Sequence, residues 1–383
     1  MRLLHTSDWH LGRSFHGAGL LDDQVVALDA MVDIVRSVGV DVVVVAGDLY
    51  DRQIPPADAV SALSEALARL RSAGATVVAI TGNHDSPARL RFGDQLLAQA
   101  GVHLCGDVRA AGTPIVLPDR DGGPDLCIYP IPYLEPEVAR HYLGVPDSRT
   151  HELVLRTALD RARADLSTRG QVRSVAVAHA FAAGGATCDS ERVLRVGGAD
   201  RVPLGCFSGF DYVALGHLHG RQVFADGRMR YSGSPMAYSF SERGHRKGVE
   251  LIDIAADGAL QVETIDLPVQ RGLAVVRGTL DELISSPAFA DAERCWVQAT
   301  LTDAVVPRDA MGRLRERFAW AASLLHEPPA GARDHRTYRD RVAGRGDLDL
   351  VSDFVTHVTG GPPAVEDLAV CRSVLDEVSA AVA

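Results

Sequence analysis

Val42-Val43-Val44-Val45-Ala46-Gly47-Asp48 is the stretch that decides how this chain is read. Five apolar residues in a row, four of them β-branched, fit a strand buried on both faces, and Gly-Asp then ends it with a flexible residue and a carboxylate. The same grammar recurs on either side. Leu3 to Ser7 leads into Asp8-Trp9-His10, Thr76 to Ile80 into Gly82-Asn83-His84-Asp85, Ser174 to Ala178 into His179, and Tyr212 to Leu215 into Gly216-His217-Leu218-His219. Longer amphipathic stretches at Asp22 to Val38, Pro56 to Ala73, Pro87 to Ala100 and Arg149 to Thr168 read as helices. Strand and helix alternate in this way through residue 268, the pattern of an α/β sandwich.

In an open α/β sheet the ends of successive strands converge on a crevice where ligands bind, so five polar motifs that each follow a strand can meet. What they bring is carboxylate, imidazole and amide oxygen without a thiol, a donor set for divalent ions such as Mn, Fe or Zn. Asp8/His10 and His217/His219, spaced i and i+2, are expected to present both members of each pair to one metal region. Two metals held by a bridging carboxylate, for which Asp48 is the natural choice, suit in-line displacement at phosphorus. A further proton donor must then stand beside the leaving oxygen, and His84, next to Asn83, is placed for it. Taken singly, an Asp-x-His is ordinarily a surface pair, a Gly-Asp a turn, and a lone His179 a satisfied core histidine. Five motifs in order at five strand ends are a different matter.

The bulk properties set the frame. At 383 residues the chain exceeds what one hydrophobic core usually serves, and its 46% hydrophobic and 23% charged residues are those of a soluble protein. No apolar run is long enough to span a bilayer, and Arg2, His5, Asp8 and His10 leave no room for a signal-peptide core, so a cytoplasmic location is expected. Cys105, Cys127, Cys188, Cys206, Cys295 and Cys371 are scattered, without a CxxC pair, as in a protein of reduced thiols. A net charge of -11 argues against holding nucleic acid by bulk attraction; any such binding must be local, metal-assisted or shared. Lys247 is the only lysine among the 39 basic residues, a bias attributed to genome composition.

Beyond the sandwich core, Gln222 to Ala225, Arg228 to Ser232 and Gly248 to Ile254 read as strands punctuated by turns at Asp226-Gly227 and Asp257-Gly258. A new unit begins near Arg271: strand Ala274 to Arg277, helix Leu280 to Ser285, strand Arg294 to Leu301, helix Arg308 to Phe318, strand Trp320 to Leu325. Pro328-Pro329 and Gly331 mark a linker, followed by the run Arg333, Arg336, Arg339, Arg341, Arg345, a solvated face or a contact to DNA backbone. Two helices split by Gly360-Gly361-Pro362-Pro363 close the chain, the first with Leu350, Phe354 and Val358 as an apolar stripe. The domains so drawn are 1–268, 269–330 and 331–383.

The ordered set Asp-x-His, Gly-Asp, Gly-Asn-His-Asp, His and Gly-His-x-His resembles the calcineurin-like metallophosphoesterases. Thr6 to Gly12, Gly47 to Asp51, Gly82 to Ser86, Tyr231 to Pro235 and Ser239 to Glu242 bring it closest to the nuclease subunits of SbcCD-type complexes. The resemblance implies a metallophosphoesterase sandwich with a small α/β capping domain that selects DNA and a helical C-terminal tail. It implies two Mn ions, one held by Asp8, His10, Asp48 and His219 and the other by Asp48, Asn83, His179 and His217. His84 would be the catalytic histidine, steadied by a carboxylate that is either Asp51 or Asp85. Relatives from archaea and eukaryotes often carry histidine where Asp51 stands, so their handling of duplex ends does not transfer.

As partners the resemblance implies an SMC-like ATPase, SbcC, bound by the tail, DNA ends and hairpins, and a second copy paired through Pro56 to Ala73 or Pro87 to Ala100. The activity implied is 3'-5' duplex exonuclease and single-strand or hairpin endonuclease in DNA repair, recombination and replication. A small-molecule phosphodiesterase would not need the extra C-terminal parts. In a protein phosphatase Gly and Glu would stand where Gln53 and Asp85 do, and a silent scaffold would not keep every ligand position together with His84.

Overall fold

The valine run is a strand, Val42–Val45, with all four side chains buried. It pairs in parallel with Arg2–Thr6 on one edge and Thr76–Ile80 on the other. Having a neighbour on each edge and an apolar layer on each face, it shows no alternation in its sequence. In a computed structural model, which describes residues 1–191, 201–329, 344–359 and 361–382, this strand is central to a six-stranded sheet. The sheet runs Leu260–Asp266, Gly248–Ile254, Arg2–Thr6, Val42–Val45, Thr76–Ile80, Val102–Cys105. A second sheet runs Gln222–Phe224, Met229–Tyr231, Tyr212–Gly216, Arg173–His179, Leu126–Ile131, Ile115–Leu117.

The two sheets bury one another. Leu3, Val44 and Ile80 from the first meet Ile128, Val177 and Ala214 from the second in a dry central layer. Helices Leu21–Val38 and Ala57–Ser72 cover the outer face of the first sheet through Met31, Val35, Leu63 and Leu70. Pro136–Leu143 and His151–Ser167 cover the second through Leu143, Val154 and Leu159. Each aliphatic side chain so buried contributes roughly 1.5–3 kcal/mol. The result is a helix, sheet, sheet, helix sandwich whose core strands Arg2–Thr6, Val42–Val45, Thr76–Ile80, Arg173–His179 and Tyr212–Gly216 run parallel within their sheets.

The expected helix Pro87 to Ala100 is broken into Pro87–Leu90 and Asp94–Gln99, because Gly93 takes φ 75° between them. Four strands of the two six-stranded sheets escape the sequence reading, the three-residue edge strand Ile115–Leu117 among them. Leu126–Ile131 contains Pro130, yet its outer neighbour pairs only as far as Ile128, so the missing N–H breaks no ladder bond on that edge. Val102–Cys105 and Leu260–Asp266 are edge strands with weaker apolar character.

The chain divides into two units, Met1–Leu273 and Ala274–Ala383. The second holds a three-stranded sheet in which Trp296–Leu301 lies between Leu273–Gly278 and Ala321–His326. Helix Leu280–Ser285 starts with a capping box between Thr279 and Glu282. With Ala310–Arg317 it closes a small core of Val276, Leu283, Val297, Leu301, Leu314 and Phe318. Two further helices are Asp347–Thr359 and Val365–Val382. Gly331, Arg333, Arg336, Arg339, Arg341 and Gly360 lie outside the described residues. Among the described residues no helix is long and apolar enough to cross a membrane.

Candidate metal centre

All five motifs leave the carboxyl ends of their strands on one side of the sandwich, where the two sheets touch. His179 Nδ1 donates to the Ala46 carbonyl across the seam at 2.9 Å. The seam is tight: a Cβ on Gly216 would stand 1.9 Å from the Ala46 oxygen, and one on Gly47 would stand 2.4 Å from His179 Nδ1. Glycine in these motifs is a demand for space. Asp8 (φ 54°), His10 (φ 46°), Asp48 (φ 52°) and His217 (φ 105°) all hold left-handed backbone that their side chains disfavour. Backbone of that kind persists only where its surroundings impose it, and it gathers at working sites.

The side chains form two donor sets joined at Asp48. In one, Asp8, His10 and His219 bring potential ligand atoms within 4.8 Å of one another, and His10 Nε2 faces His219 Nε2 at 3.1 Å. In the other, Asn83 Oδ1 lies 2.9 Å from His179 Nε2 and 3.2 Å from His217 Nδ1. Asp48 Oδ2 is 3.7 Å from His10 Nε2 and 3.4 Å from His179 Nε2, between the sets. The i, i+2 expectation holds for Asp8/His10 but fails for His217/His219, which divide between the two sets because the chain turns at His217. Asp8 has a structural duty too, accepting the His217 N–H at 3.1 Å.

His84 stands against His10, ring centroids 4.7 Å apart, and its backbone N–H donates to Asp48 Oδ1 at 2.8 Å. The carboxylate expected to steady it is absent from its Nδ1, which donates instead to the backbone carbonyl of Asp51 at 2.8 Å. The Asp51 carboxylate turns to Arg13 Nη1 at 3.4 Å and His10 Nδ1 at 3.8 Å. Asp85 is buried and holds the loops, accepting N–H groups from Gly82, Leu49 and Tyr50. It ties the second and third motifs together and does not reach the His84 ring.

The residues fit a pair of cations. Two imidazole nitrogens at 3.1 Å can share at most one proton, and among the described residues the buried His10 Nδ1 and Asn83 Nδ2 have no hydrogen-bond partner. Burial pushes His217 down to about 3 and His219 to about 4, so both rings are neutral and keep a lone pair. Burial also lifts the Asp8 carboxyl to about 7, with the charge of Asp48 adding to it. Against its own burial, Asp48 holds the His179 imidazole up at about 9. Protons drawn to Asp8 and His179 mark a place short of positive charge.

A surrounding layer was not legible in the motifs. Gln24 Nε2 donates to the carbonyls of Trp9 and His10, and Tyr238 Oη donates to Trp9 O. Ser190, Glu191, Glu242 and Lys247 gather behind His219.

Residues 1–221 match the family model of the calcineurin-like phosphoesterases. The chain belongs to that family. It is thus a metal-dependent phosphoesterase with a two-metal type of site. Residues 269–359 match the SbcD C-terminal model, described as the type 5 capsule protein repressor C-terminal domain, and the two matches together are those of an SbcD-like nuclease. Among solved structures this phosphoesterase is similar to a novel archaeal phosphodiesterase, at 13% identity over 69% of this chain and 100% of the other, TM-score 0.32. It is similar also to a dimetal phosphatase from Danio rerio, at 15% identity over 70% and 99%, TM-score 0.42.

Proposed function

We propose that this phosphoesterase is a manganese-dependent DNA nuclease, a 3'-5' exonuclease on duplex ends and an endonuclease on hairpins and single strands. It acts in the cytoplasm with an SMC-like ATPase of the SbcC kind in DNA repair, recombination and replication. The observation that carries the reading is the carboxylate of Asp48 between two donor sets. That such a site sits on a chain with an SbcD-type C-terminal match supports DNA as substrate.

In this reading Asp8, His10, Asp48 and His219 hold one ion, and Asp48, Asn83, His179 and His217 the other. When bound, such a pair activates water and stabilises the attacking and leaving oxygens of an in-line displacement. The oxygen and imidazole donors, without thiol, suit manganese. His84, its Nδ1–H fixed on the Asp51 carbonyl, keeps Nε2 to hold a proton for the leaving oxygen. Asp51 thus serves His84 through its main chain, and Asp85 serves by fixing the loop that carries it. Residues 269–330 form the DNA-selecting cap, and residues 331–383 the linker and partner-binding tail.

Exposed apolar side chains support the proposed assembly. Phe92 is 89% and Leu96 72% exposed beside helix Ala57–Ser72, a surface suited to a second copy of the chain. Phe354 and Val358, 65% and 64% exposed on Asp347–Thr359, suit the ATPase.

The test compares cleavage of a labelled DNA hairpin and of bis(p-nitrophenyl) phosphate in manganese, magnesium and chelator. His84→Ala serves as the control. Manganese-dependent cutting, lost by about 10²–10⁴-fold in the variant while metal content is kept, supports the nuclease. Turnover of the small diester with DNA untouched, even after partner and ATP are added, replaces it with a small-molecule phosphodiesterase.

A further inference from the structure

The one lysine of the chain is buried, 5% exposed, behind the metal centre. Its Nζ donates to His219 O at 2.8 Å, to Ser234 Oγ at 2.9 Å and to Glu242 Oε2. Three donors meet three acceptors, a fit that a compact ammonium provides and a planar guanidinium fork does not. Where 38 other positions carry arginine, this one has a shape that arginine does not match.

Glu242, 1% exposed, passes that anchorage on. Its Oε1 accepts from Ser190 Oγ and from the Tyr238 N–H. Ser190 Oγ lies 2.7 Å from His219 Nδ1. With the hydroxyl proton committed to Glu242, the oxygen accepts from Nδ1–H. His219 then has its proton on Nδ1 and a bare lone pair on Nε2, the atom that faces His10. Glu191 Oε1 adds a second hold, accepting the His219 N–H at 2.7 Å.

We propose that Lys247, Glu242 and Ser190 are positioning residues that fix the ring, tautomer and basicity of His219 and so set the affinity of one of the two metal ions. The chain runs lysine, carboxylate, hydroxyl, imidazole, with the hydroxyl inserted in the usual carboxylate-to-histidine link. The proposal rests on the metal-centre reading and deepens it: His179, held by the Ala46 carbonyl, and His217, facing Asn83, stand outside the relay, so the other ion is untouched.

The test is calorimetric titration of the full chain with Mn²⁺, counting bound ions by electron paramagnetic resonance, for the native chain, Ser190→Ala, Glu242→Gln and Lys247→Arg. Ser190→Ala is the decisive variant because it cuts the relay while leaving the Glu242–Lys247 pair in place. Its melting temperature in chelator, together with that of Glu242→Gln, tells a loss of fold from a loss of ligand geometry. Weakening of one binding event by about 10–100-fold in Ser190→Ala and Glu242→Gln, with the other event native, is the expected result. Lys247→Arg should fall on the same side. Native affinity for both ions in Ser190→Ala overturns the proposal, as does equal weakening of both. A native chain that binds fewer than two Mn²⁺ overturns the metal-centre reading itself.

Discussion

A methyl group on residue 82 would stand 2.1 Å from Asp48 Oδ1 and 2.4 Å from the Asp48 nitrogen. Neither atom has room to retreat, since Oδ1 accepts the His84 N–H and the Asp48 backbone is already held at φ 52°. Gly82→Ala therefore shifts the carboxylate that serves both donor sets. A displacement of about 1 Å at a reacting centre costs on the order of 10²-fold in rate. Turnover of bis(p-nitrophenyl) phosphate should fall by about that factor, and native turnover would show that Asp48 is not the hinge of the site. Gly216→Ala acts on a different quantity. Its Cβ would press on the Ala46 carbonyl where the sheets touch, and overpacking of this sort costs roughly 1–3 kcal/mol, to be read from urea midpoints in chelator.

At the scale of elements, the sequence carried most of what places the site. Each of the five motifs begins on the last residue of a strand or two residues beyond it, so the meeting of Asp8, Asp48, Asn83, His179 and His217 was legible through their strands. The relay behind His219 was not legible, because Ser190 and Glu242 lie 52 positions apart and share no spacing rule. Its signals were Lys247, an exception in an arginine chain, and Glu242 at the end of the Ser239 to Glu242 stretch, with nothing in the sequence to join them. The misplaced carboxylate beside His84 had a similar cause: sequence puts Asp51 near His84 without telling side chain from main-chain carbonyl. The broken helix at Gly93 has its own consequence. It leaves Phe92 outside any helix face of its own unit, and Phe92→Asp should convert the proposed dimer to a monomer in sedimentation while small-diester turnover stays native. A variant that remains dimeric moves the interface elsewhere. Deleting residues from Asp347 onward tests the other surface: the shortened chain should keep basal turnover and lose co-purification with the proposed ATPase partner.

For the whole molecule, the donors of one site are drawn from positions 8 to 219 and five strand ends, so they exist as a site only in the folded chain. A ligand that binds the folded state alone stabilises it by RT ln(1 + [L]/Kd), about 2.7 kcal/mol at a hundredfold excess over Kd. For a unit of this size about 1 kcal/mol moves the melting temperature by about 2–4 °C. Saturating Mn²⁺ should therefore raise the transition of the sandwich by about 5–10 °C for each tightly held ion, and chelator should reverse it. The candidate clusters found among the described residues all lie in Met1–Leu273, so the shift belongs to that unit. Asp48→Asn should erase most of it, because that carboxylate faces both donor sets, whereas Asn83→Ala should erase only the share of one ion. If Asp48→Asn kept the full manganese shift, the stabilising ions would be bound somewhere other than at the five strand ends, and the hydrolytic reading would lose its physical basis.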